Sequence, residues 1–424
     1  MGCYFTTFAQ VSIIGGSVID ISEAPYQVSI ELENGVHDCG GMILSERWIL
    51  TAAHCVFNSG LVITSPLLEN LVVHAGSTNQ TLDNVGQRIN VESIVVNPNY
   101  DPPSTLTTIE HDIALLYLES PLEFNTNVQP RRYADFCNTQ LVDIASGEMA
   151  SIAGWGRTAF SPPPIDNLNF AEIPIVSTAE ANTIYDQVVP GSGLAVTANN
   201  IAFYDSEVQQ GSGDSGGAFF IEKDGNSLAV GVASWSLTQS DGTIVPSIGT
   251  NVRVYSDWIE SESGISSSTS GLDLFMKDRP WDLGKEPSNV DMGWVSDDIW
   301  IRNQADGVEN QIHENPEFSL ADPVYVYVRV RNRGCIASTG TEQLTLSWAK
   351  ASTSLTWPDY WDGSTTFGTN GPLAGDEIDV RVINEVIEPG GSAILEFEWD
   401  NMPNPSDYDL IGNDEPWHFC LLLG

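Results

Sequence analysis

A serine, a histidine and an aspartate occur along the chain in contexts that suit nucleophilic catalysis. Ser215 lies in the glycine-rich run GSGDSGGAFF (211–220), where small residues allow a tight turn that presents backbone amides. A serine hydroxyl is a poor nucleophile at neutral pH and needs a base within hydrogen-bond reach. His54 follows the apolar segment WILTAA and is followed by Cys55, which makes it the best-placed of the 6 histidines. The sequence therefore predicts a serine nucleophile with His54 as its base.

Two further groups complete this predicted chemistry. Asp112 leads into the apolar segment IALLYL, so its carboxylate would be partly shielded from water and could hold the imidazole of His54 in one tautomer. The amides of Gly213 and Ser215 could point together at a developing oxyanion. Taken singly, these features also fit an ordinary glycine turn, a core histidine and a strand-edge cap. Their joint occurrence in the order His54, Asp112, Ser215 favours catalysis.

The elements that must position these residues are short strands separated by turns. Glycine (37) and proline (23) are abundant, as is typical of a mostly β chain with many turns. The segment VYSDWIES predicts a short amphipathic helix that closes the first part of the chain. The stretch SESGISSSTSG (261–271) has no apolar periodicity and predicts a flexible linker. A length of 424 residues favours two or three domains.

Strand signals return after residue 272. In PVYVYVRVRNRG (323–334) valines alternate with tyrosines and arginines, which predicts a strand with one buried face and a second all-β unit, a sandwich. This unit contains eight of the 12 tryptophans. Exposed aromatic rings could bind sugars or extended polymers, but large aromatics more often fill a core.

The chain is strongly acidic, with 16 basic against 57 acidic residues and a net charge of -41. Both parts of the chain, divided near residue 270, share this excess, so the charge indicates solubility and not a local binding patch. No basic stripe exists to neutralise phosphates, which argues against a nucleic-acid partner. No apolar run approaches the length that spans a bilayer, so no membrane span is predicted.

Eight motifs carry a resemblance to a known family over residues 13–262. They are IIGG (13–16), APYQVSI (24–30), HDCGG (37–41), WILTAAHC (48–55), DIALL (112–116), GWG (154–156), GDSGG (213–217) and SWS (234–236). In their order and spacing, they resemble the chymotrypsin-like (trypsin-family) serine endopeptidases. The resemblance implies an all-β fold of two six-stranded β-barrels with the site in the cleft between them, followed here by the β-sandwich.

The resemblance also implies the roles of the catalytic groups. Peptide-bond hydrolysis would proceed through an acyl-enzyme on Ser215, with His54 as general base and then general acid. Asp112 would orient His54, and Ser234 would support Asp112. The amides of Gly213 and Ser215 would form the oxyanion hole. The substrate would be a polypeptide, and neither a cofactor nor a metal is expected. In particular, the run 76–87 lacks the glutamates of the family's calcium loop.

Activation is the next implication of the resemblance. Cleavage before Ile13 would free an α-amino group that pairs with Asp214, and His37, with Ser29 beside it, is the family's alternative partner for Asp214 before cleavage. Ser12 excludes a self-cleavage after arginine or lysine at this point. A chain that retains residues 10–12 is therefore predicted to be a nearly inactive zymogen.

Substrate preference is predicted from the residues that match the family's specificity pocket. Gln209 matches the base of that pocket, so selection for arginine or lysine is disfavoured. The set of substrate-binding residues is Gln209, Ser234, Trp235, Ser236 and Ser247. Ser236 and Ser247 stand at two pocket-wall positions that are usually glycine in the family. Their larger side chains favour a small or medium uncharged side chain of the substrate in this pocket. Gly211 replaces a family cysteine, and in a re-threaded pocket Asp205 or Glu207 could reach the base.

Six cysteines allow up to three disulfides. Cys39 and Cys55 match a family disulfide beside the histidine. Cys3 is a natural partner for Cys137 if the first residues survive processing. Pairing of Cys335 with Cys420 is then the simplest remaining choice.

The predicted organisation has four parts. Residues 1–12 are a signal remnant or short pro-segment, 13–262 a serine protease domain, 263–271 a Ser/Gly-rich linker, and 272–424 an immunoglobulin-like β-sandwich. This last unit resembles modules appended to secreted bacterial enzymes, which implies an extracellular polymer or a cell-surface ligand. The protein is predicted to be secreted or extracellular, with cell-surface attachment left open. The alternative is a catalytically silent or secondary protease scaffold that serves as an adhesin or polymer-binding protein through the sandwich.

Overall fold

The structure is a computed structural model. It describes residues 13–32, 35–58, 61–62, 71–82, 85–101, 109–139, 144, 146–156, 167–191, 193–223, 226–237, 242–284, 296–319, 322–351, 355–409 and 418–424. The chain divides into two compact units, Met1–Ser268 and Thr269–Gly424. No helix in the described ranges has the length and apolar character needed to cross a membrane.

The first half of unit one is a closed β-barrel. Its strands are β2 (Gln27–Leu32), β3 (Val36–Ile43), β4 (Trp48–Thr51), β7 (Val72–Ala75), β8 (Gln87–Val96) and β9 (Ala114–Leu118). The short strand β1 (Ser17–Val18) precedes them, and the hairpin of β5 (Phe57–Asn58) and β6 (Leu61–Val62) lies between β4 and β7 in the chain. The barrel order is β2-β3-β4-β9-β8-β7, and β2 pairs with β7 to close it. Inward residues such as Val28, Leu50 and Leu115 are fully buried.

A second barrel of six strands follows. Its strands are β11 (Met149–Gly154), β12 (Asn169–Val176), β13 (Asn200–Phe203), β14 (Ala218–Lys223), β15 (Asn226–Trp235) and β16 (Ser247–Asn251). The short strand β10 (Arg132–Tyr133) pairs in parallel with β15 and is not one of the six. The order β12-β11-β14-β15-β16-β13 is closed by pairing of β12 with β13. Phe203 and Phe219 stack in its core with ring centroids 3.8 Å apart. The predicted double barrel is therefore confirmed.

Two α-helices occur among the described residues, both in unit one. Helix α1 (Thr178–Val188) begins at Ser177, whose hydroxyl accepts a hydrogen bond from the Glu180 amide at 3.1 Å. Helix α2 (Ser256–Ser263) ends at Gly264, which has the left-handed φ of +69° that a helix C-terminus favours. Short 3-10 turns occupy Ile21–Glu23, Ala53–Val56, Val252–Tyr255 and Pro405–Tyr408. The closing helix predicted from VYSDWIES (254–261) is α2, which begins and ends two residues later than predicted because 254 and 255 belong to the preceding 3-10 turn.

The serine-rich stretch after α2 packs onto unit one. The Ser267 carbonyl accepts two hydrogen bonds from the Arg132 guanidinium, at 2.8 and 2.6 Å, and Ser267 itself is buried. The Tyr133 hydroxyl donates to the Ile265 carbonyl at 2.7 Å. The prediction of a flexible linker is therefore wrong for residues 265–268. A serine-rich composition removes apolar periodicity, but it supplies hydroxyl and carbonyl groups that buried polar partners can bind.

The second unit is also built of strands. They are β17 (Leu274–Phe275), β18 (Ile299–Arg302), β19 (Val324–Asn332), β20 (Gln343–Lys350), β21 (Gly375–Val382), β22 (Ser392–Trp399) and β23 (Phe419–Leu423). One sheet has β19 between β22 and the pair β17 and β18, and the other has the order β21-β20-β23. Side chains of both sheets, including Val326, Leu346, Trp348 and Phe397, form one buried cluster. This arrangement is consistent with the predicted sandwich.

The alternation predicted along residues 323–334 is found in β19. Val324, Val326, Val328 and Val330 are all buried. Most of the described tryptophans of this unit are also in the core: Trp300, Trp348, Trp361 and Trp399 are buried, while Trp357 is 63% exposed. The core interpretation of the aromatic residues therefore holds for most of them.

The cysteines are only partly paired as predicted. Cys39 and Cys55 form a disulfide with Cα atoms 6.1 Å apart. Cys137 and Cys335 are each disulfide-bonded, and Cys3 lies outside the described residues. Cys420 carries a free thiol, so the predicted Cys335–Cys420 pairing is wrong. Cys420 is on β23 opposite Ala349, whereas Cys335 follows β19 in the other sheet, so the sandwich separates the two positions.

Candidate active site

His54 and Asp112 are brought together by two paired strands. In the antiparallel pair β4–β9, Thr51 lies opposite Ala114, so the chain leaving β4 and the chain entering β9 meet at one barrel end. His54 Nδ1 lies 2.8 Å from Asp112 Oδ2. The backbone amide of His54 also donates to Asp112 Oδ1 at 2.8 Å. Both carboxylate oxygens therefore bind the same residue, which fixes the plane of the imidazole relative to the carboxylate.

Further hydrogen bonds hold Asp112 in place. Its carboxylate is 1% exposed and accepts a third hydrogen bond, from the Ser234 hydroxyl at 2.5 Å. The Thr250 hydroxyl donates to the Asp112 main-chain carbonyl at 2.8 Å. Burial alone would raise the pKa of Asp112, but the charge of His54 and the hydrogen bonds that the carboxylate accepts from His54 and Ser234 lower the pKa below its ordinary value. Asp112 is therefore an anion fixed on the inner side of His54, and Ser234 lies where the sequence predicted it.

The ionisation of His54 is shifted by its acidic neighbours. Burial favours the neutral imidazole, but the charge of Asp112, its hydrogen bond and the charge of Asp38 together raise the pKa of His54 above its ordinary value. The side chain is 35% exposed, so the imidazole is accessible to solvent while its Nδ1 edge binds Asp112. An imidazole with Nδ1 hydrogen-bonded to a carboxylate can accept a proton at Nε2.

Ser215 lies in a turn that depends on two glycines. Gly213 has φ +102° and Gly216 has φ +81°, a region that other residues rarely occupy. A Cβ on Gly216 would lie 2.2 Å from Thr51 Oγ1, so the turn is pressed against the end of β4 from which His54 follows. The Gly40 amide donates to the Ser215 carbonyl at 2.7 Å. These contacts place Ser215 at the same end of the first barrel as His54.

The predicted oxyanion donors have their amides available. Among the hydrogen bonds of the described residues, none uses the amide of Gly213 or Ser215 as its donor. The Gly213 carbonyl is bound instead, at 2.9 Å from His37 Nε2, and His37 Nδ1 lies 2.7 Å from the Ser29 hydroxyl. His37 and Ser29 therefore fix the backbone of the turn.

Asp214 is completely buried beneath this turn. One carboxylate oxygen accepts from the Gly156 amide at 2.8 Å and the other from the Gly211 amide at 2.7 Å. Burial raises the pKa of Asp214 to about 6, although both hydrogen bonds favour the ionised form. Among the described residues no basic side chain pairs with this carboxylate. A cationic partner would therefore strongly favour the ionised form of the Asp214 carboxylate.

Ile13, the predicted partner of Asp214, is fully buried in the core of the second barrel. Beside it, the Ile14 amide donates to the Gln209 carbonyl at 3.0 Å, and the Gln209 amide donates back at 3.2 Å. Residues 10–12, on which the zymogen prediction rests, lie outside the described residues. The Ile13–Asp214 ion pair stays a prediction.

The predicted pocket residues lie close to one another. Gln209 is buried, and its side-chain amide donates to the Leu237 carbonyl at 3.1 Å. The Ser247 hydroxyl accepts from the Gln210 amide at 3.0 Å, and the Ser236 hydroxyl lies 3.4 Å from the Gln210 carbonyl. Gln210, the residue after Gln209, thus joins the two serines that replace family glycines.

The remaining pocket candidates have different surroundings. Trp235 is buried and its ring lies 5.3 Å from that of Tyr185. Glu207 is exposed, and its amide donates to Asp205 Oδ1 at 2.7 Å. Asp205 is half-buried, so neither acidic residue shares the full burial of Gln209.

One group of possible metal ligands occurs among the described residues, Cys39, His54 and Cys55. Both cysteines are joined in the disulfide and offer no thiolate, so this group does not suit a metal. On the strands that flank the run 76–87, Arg88 of β8 and His74 Nδ1 of β7, the latter at 3.2 Å, both pair with buried Glu31 of β2.

Several residues that shape the candidate site were not predicted from the sequence. Thr250 carries no local signal, because its hydrogen bond to the Asp112 carbonyl joins distant segments, and the HDCGG motif did not indicate that the charge of Asp38 acts on His54. Gly154 and Gly156 flank Trp155 in a motif that was recognised, but their role was not. A Cβ on either glycine would lie within 2.6 Å of the Asp214 carboxylate. Only close approach explains why both positions are glycine.

Comparisons with known proteins show the family of the first unit. Residues 13–259 match the family model described as Trypsin. Among curated proteins, Trypsin 5G1 of Aedes aegypti is 29% identical over 253 residues, which is 60% of this chain and 85% of that protein. The matched family region ends before the second unit.

Proposed function

Because this chain belongs to the trypsin family, we propose that it is a serine endopeptidase that hydrolyses polypeptides through an acyl-enzyme on Ser215. The observation that carries the proposal is the 2.8 Å contact between His54 Nδ1 and the buried Asp112 carboxylate. That contact supports a tautomer with its proton on Nδ1, which leaves Nε2 free to act as a base toward a serine in the turn described above.

The reaction follows from these roles. His54 Nε2 takes the proton of the Ser215 hydroxyl as its oxygen attacks the substrate carbonyl, and the amides of Gly213 and Ser215 donate to the resulting oxyanion. His54 then gives the proton to the leaving amine, the peptide C–N bond breaks, and the acyl group stays on Ser215. Water, deprotonated by His54, releases the acid and restores the serine. Asp112 stabilises the imidazolium at each step without being protonated itself.

Activation by cleavage before Ile13 is part of the proposal. The buried carboxylate of Asp214 supports it, because an unpaired charge in such a site is costly and a new α-amino group would compensate it. The neighbouring amides of Gly156 and Gly211 already orient the carboxylate. The pairing of Ile13 with Asp214 would then hold the oxyanion turn in its active shape.

The substrate pocket is proposed to favour a small or medium uncharged side chain. Gln209 supports this, since its side chain is neutral, buried and engaged with the Leu237 carbonyl. The hydroxyl groups of Ser236 and Ser247 occupy space that glycine would leave open.

Secretion and the role of the second unit complete the proposal. The disulfides of Cys39, Cys55, Cys137 and Cys335 support an oxidising, extracellular location. The exposed ring of Trp357 supports binding of an extracellular polymer by the second unit.

A serine-directed fluorophosphonate tests the central claim. The probe should label the chain cleaved before Ile13 and leave the Ser215→Ala variant unlabelled. Ser212→Ala is the matched control, because Ser212 is an exposed serine of the same run and should not affect labelling. A cleaved chain that is neither labelled nor proteolytic would contradict the enzyme and favour the binding scaffold.

A further inference from the structure

Strand β3 contains a bulge next to the candidate active site. In the pairing of β2 with β3, Ile30 lies opposite Cys39. The next residue of β2, Glu31, lies opposite His37, so Asp38 is the extra residue of the bulge. A bulge leaves its extra residue out of the ladder and re-aims the side chain. Asp38 is exposed, although Cys39 beside it is buried.

The backbone on both sides of Asp38 is tied to the nucleophile turn. One residue earlier, His37 Nε2 donates to the Gly213 carbonyl at 2.9 Å. Two residues later, the Gly40 amide donates to the Ser215 carbonyl at 2.7 Å. The position of the bulge relative to Ser215 is therefore fixed from two directions.

The same segment is tied to His54. Cys39 is bonded to Cys55, the residue after His54. The charge of Asp38 acts on His54 in the same direction as that of Asp112, and both raise the pKa of the imidazole. Asp112 is buried on one side of the ring, whereas Asp38 is exposed. A substrate passing His54 would therefore meet the carboxylate of Asp38.

The direction of the substrate follows from the proposed mechanism, on which this inference rests. The acyl part of the substrate is bound by the oxyanion turn and by Gln209, Ser236 and Ser247, all within or next to strands of the second barrel. His54 must reach the leaving amine to protonate it, so the segment after the scissile bond passes the first barrel, where β3 lies. We propose that Asp38 is a specificity-determining residue that selects a lysine or arginine at the first or second position after the scissile bond.

Paired peptides test this inference. Two peptides share the acyl part and differ only in a lysine or a glutamine after the scissile bond. The cleaved enzyme should show a kcat/KM about two- to five-fold higher for the lysine peptide, as expected for an exposed ion pair. The preference should shrink in 1 M salt, where charges are screened within about 3 Å. Asp38→Asn should abolish it, and Asp38→Lys should reverse it toward a glutamate peptide.

Glu92→Gln is the matched control, because Glu92 is an exposed acid of the same barrel with a side chain 55% exposed. This variant should keep the full preference. If the Asp38→Asn enzyme preserves the lysine preference, or the wild type has none, the inference is overturned.

A binding measurement separates this inference from the proposed function. Fluorescence anisotropy with the Ser215→Ala chain should give a two- to five-fold lower Kd for the lysine peptide, and Asp38→Asn in that background should remove the difference. Absence of fluorophosphonate labelling would overturn the proposed activity alone. Equal affinities for both peptides would overturn the role of Asp38 alone.

Discussion

The Gly156 amide donates a 2.8 Å hydrogen bond to the buried carboxylate of Asp214, and the same glycine leaves no room for a side chain there. A Cβ on Gly156 would lie 2.5 Å from the carboxylate carbon of Asp214. Gly156→Ala should therefore destabilise the protein by about 1–3 kcal/mol, the usual cost of overpacking, and should reduce labelling of Ser215. Urea unfolding and the fluorophosphonate probe measure the two effects. In Gly271→Ala, where a Cβ would meet no atom within 4 Å, neither should change; equal effects in both variants would contradict the close approach.

The raised pKa of Asp214 predicts a pH dependence of stability in the uncleaved chain. The folded-state pKa is about 6 and the ordinary value is 3.8, so the folded state holds the proton more tightly. This contribution to stability is complete below pH 3.8 and is lost as the pH rises to about 6, by about 3 kcal/mol at most. The difference between wild type and Asp214→Asn, measured by urea unfolding at pH 4 and pH 7.5, isolates this group.

Cleavage before Ile13 should remove the loss of stability that the ionisation of Asp214 causes as the pH rises. A new α-amino group paired with Asp214 would stabilise the ionised form, so the cleaved chain should lose little of this stability between pH 4 and pH 7.5. If the Asp214→Asn comparison gives the same pH dependence before and after cleavage, the ion pair does not form.

The contact between Asp112 and His54 predicts both the size and the pH profile of activity. Asp112→Asn should lower kcat by about 10⁴-fold, because an amide at this position favours the wrong imidazole tautomer. In the wild type, the raised pKa of His54 should place the acid limb of kcat/KM above pH 6.5. Activity should be lost below that pH as His54 becomes protonated. An acid limb below pH 6.5, or an Asp112→Asn enzyme with near-normal kcat, would show that Asp112 does not hold the base.

The Cys39–Cys55 disulfide closes a loop with a sequence separation of 16 residues. The loop-entropy model gives about 3 kcal/mol for a loop of this size. The double variant Cys39→Ser/Cys55→Ser should lose about that much free energy of unfolding, and its kcat should fall because Cys55 adjoins His54. Cys420→Ser, which removes a free thiol, should leave kcat unchanged. A double variant with wild-type stability would indicate that the barrel alone fixes His54.

The free thiol of Cys420 can be detected chemically. Burial raises its pKa, so iodoacetamide should alkylate it slowly at pH 7 and faster as the pH rises. Peptide mass mapping of the unreduced protein should find the label on Cys420 and none on Cys39 or Cys335. If Cys420 stays unlabelled in the unfolded, unreduced chain, its thiol is not free, and the predicted Cys335–Cys420 disulfide would be supported against the structure.

The sequence by itself determined the class of the protein. Alternating apolar residues predicted strands, and motifs around His54, Asp112 and Ser215 carried enough local information to identify the first unit as trypsin-like. Short segments carry this information because each must adopt one backbone shape, as in the turn between Gly213 and Gly216.

The tertiary structure decided the features that depend on contacts between distant segments. The serine-rich stretch looked like a linker, but Ser267 is buried because the Arg132 guanidinium, 135 residues away, binds its carbonyl. Cys335 and Cys420 looked like a pair, but Cys420 lies on β23 and Cys335 follows β19 of the other sheet. Asp38 lies in the HDCGG motif, but only the bulge opposite β2 turns it toward solvent. Such contacts are set by packing and strand register, which a residue's neighbours in sequence do not encode.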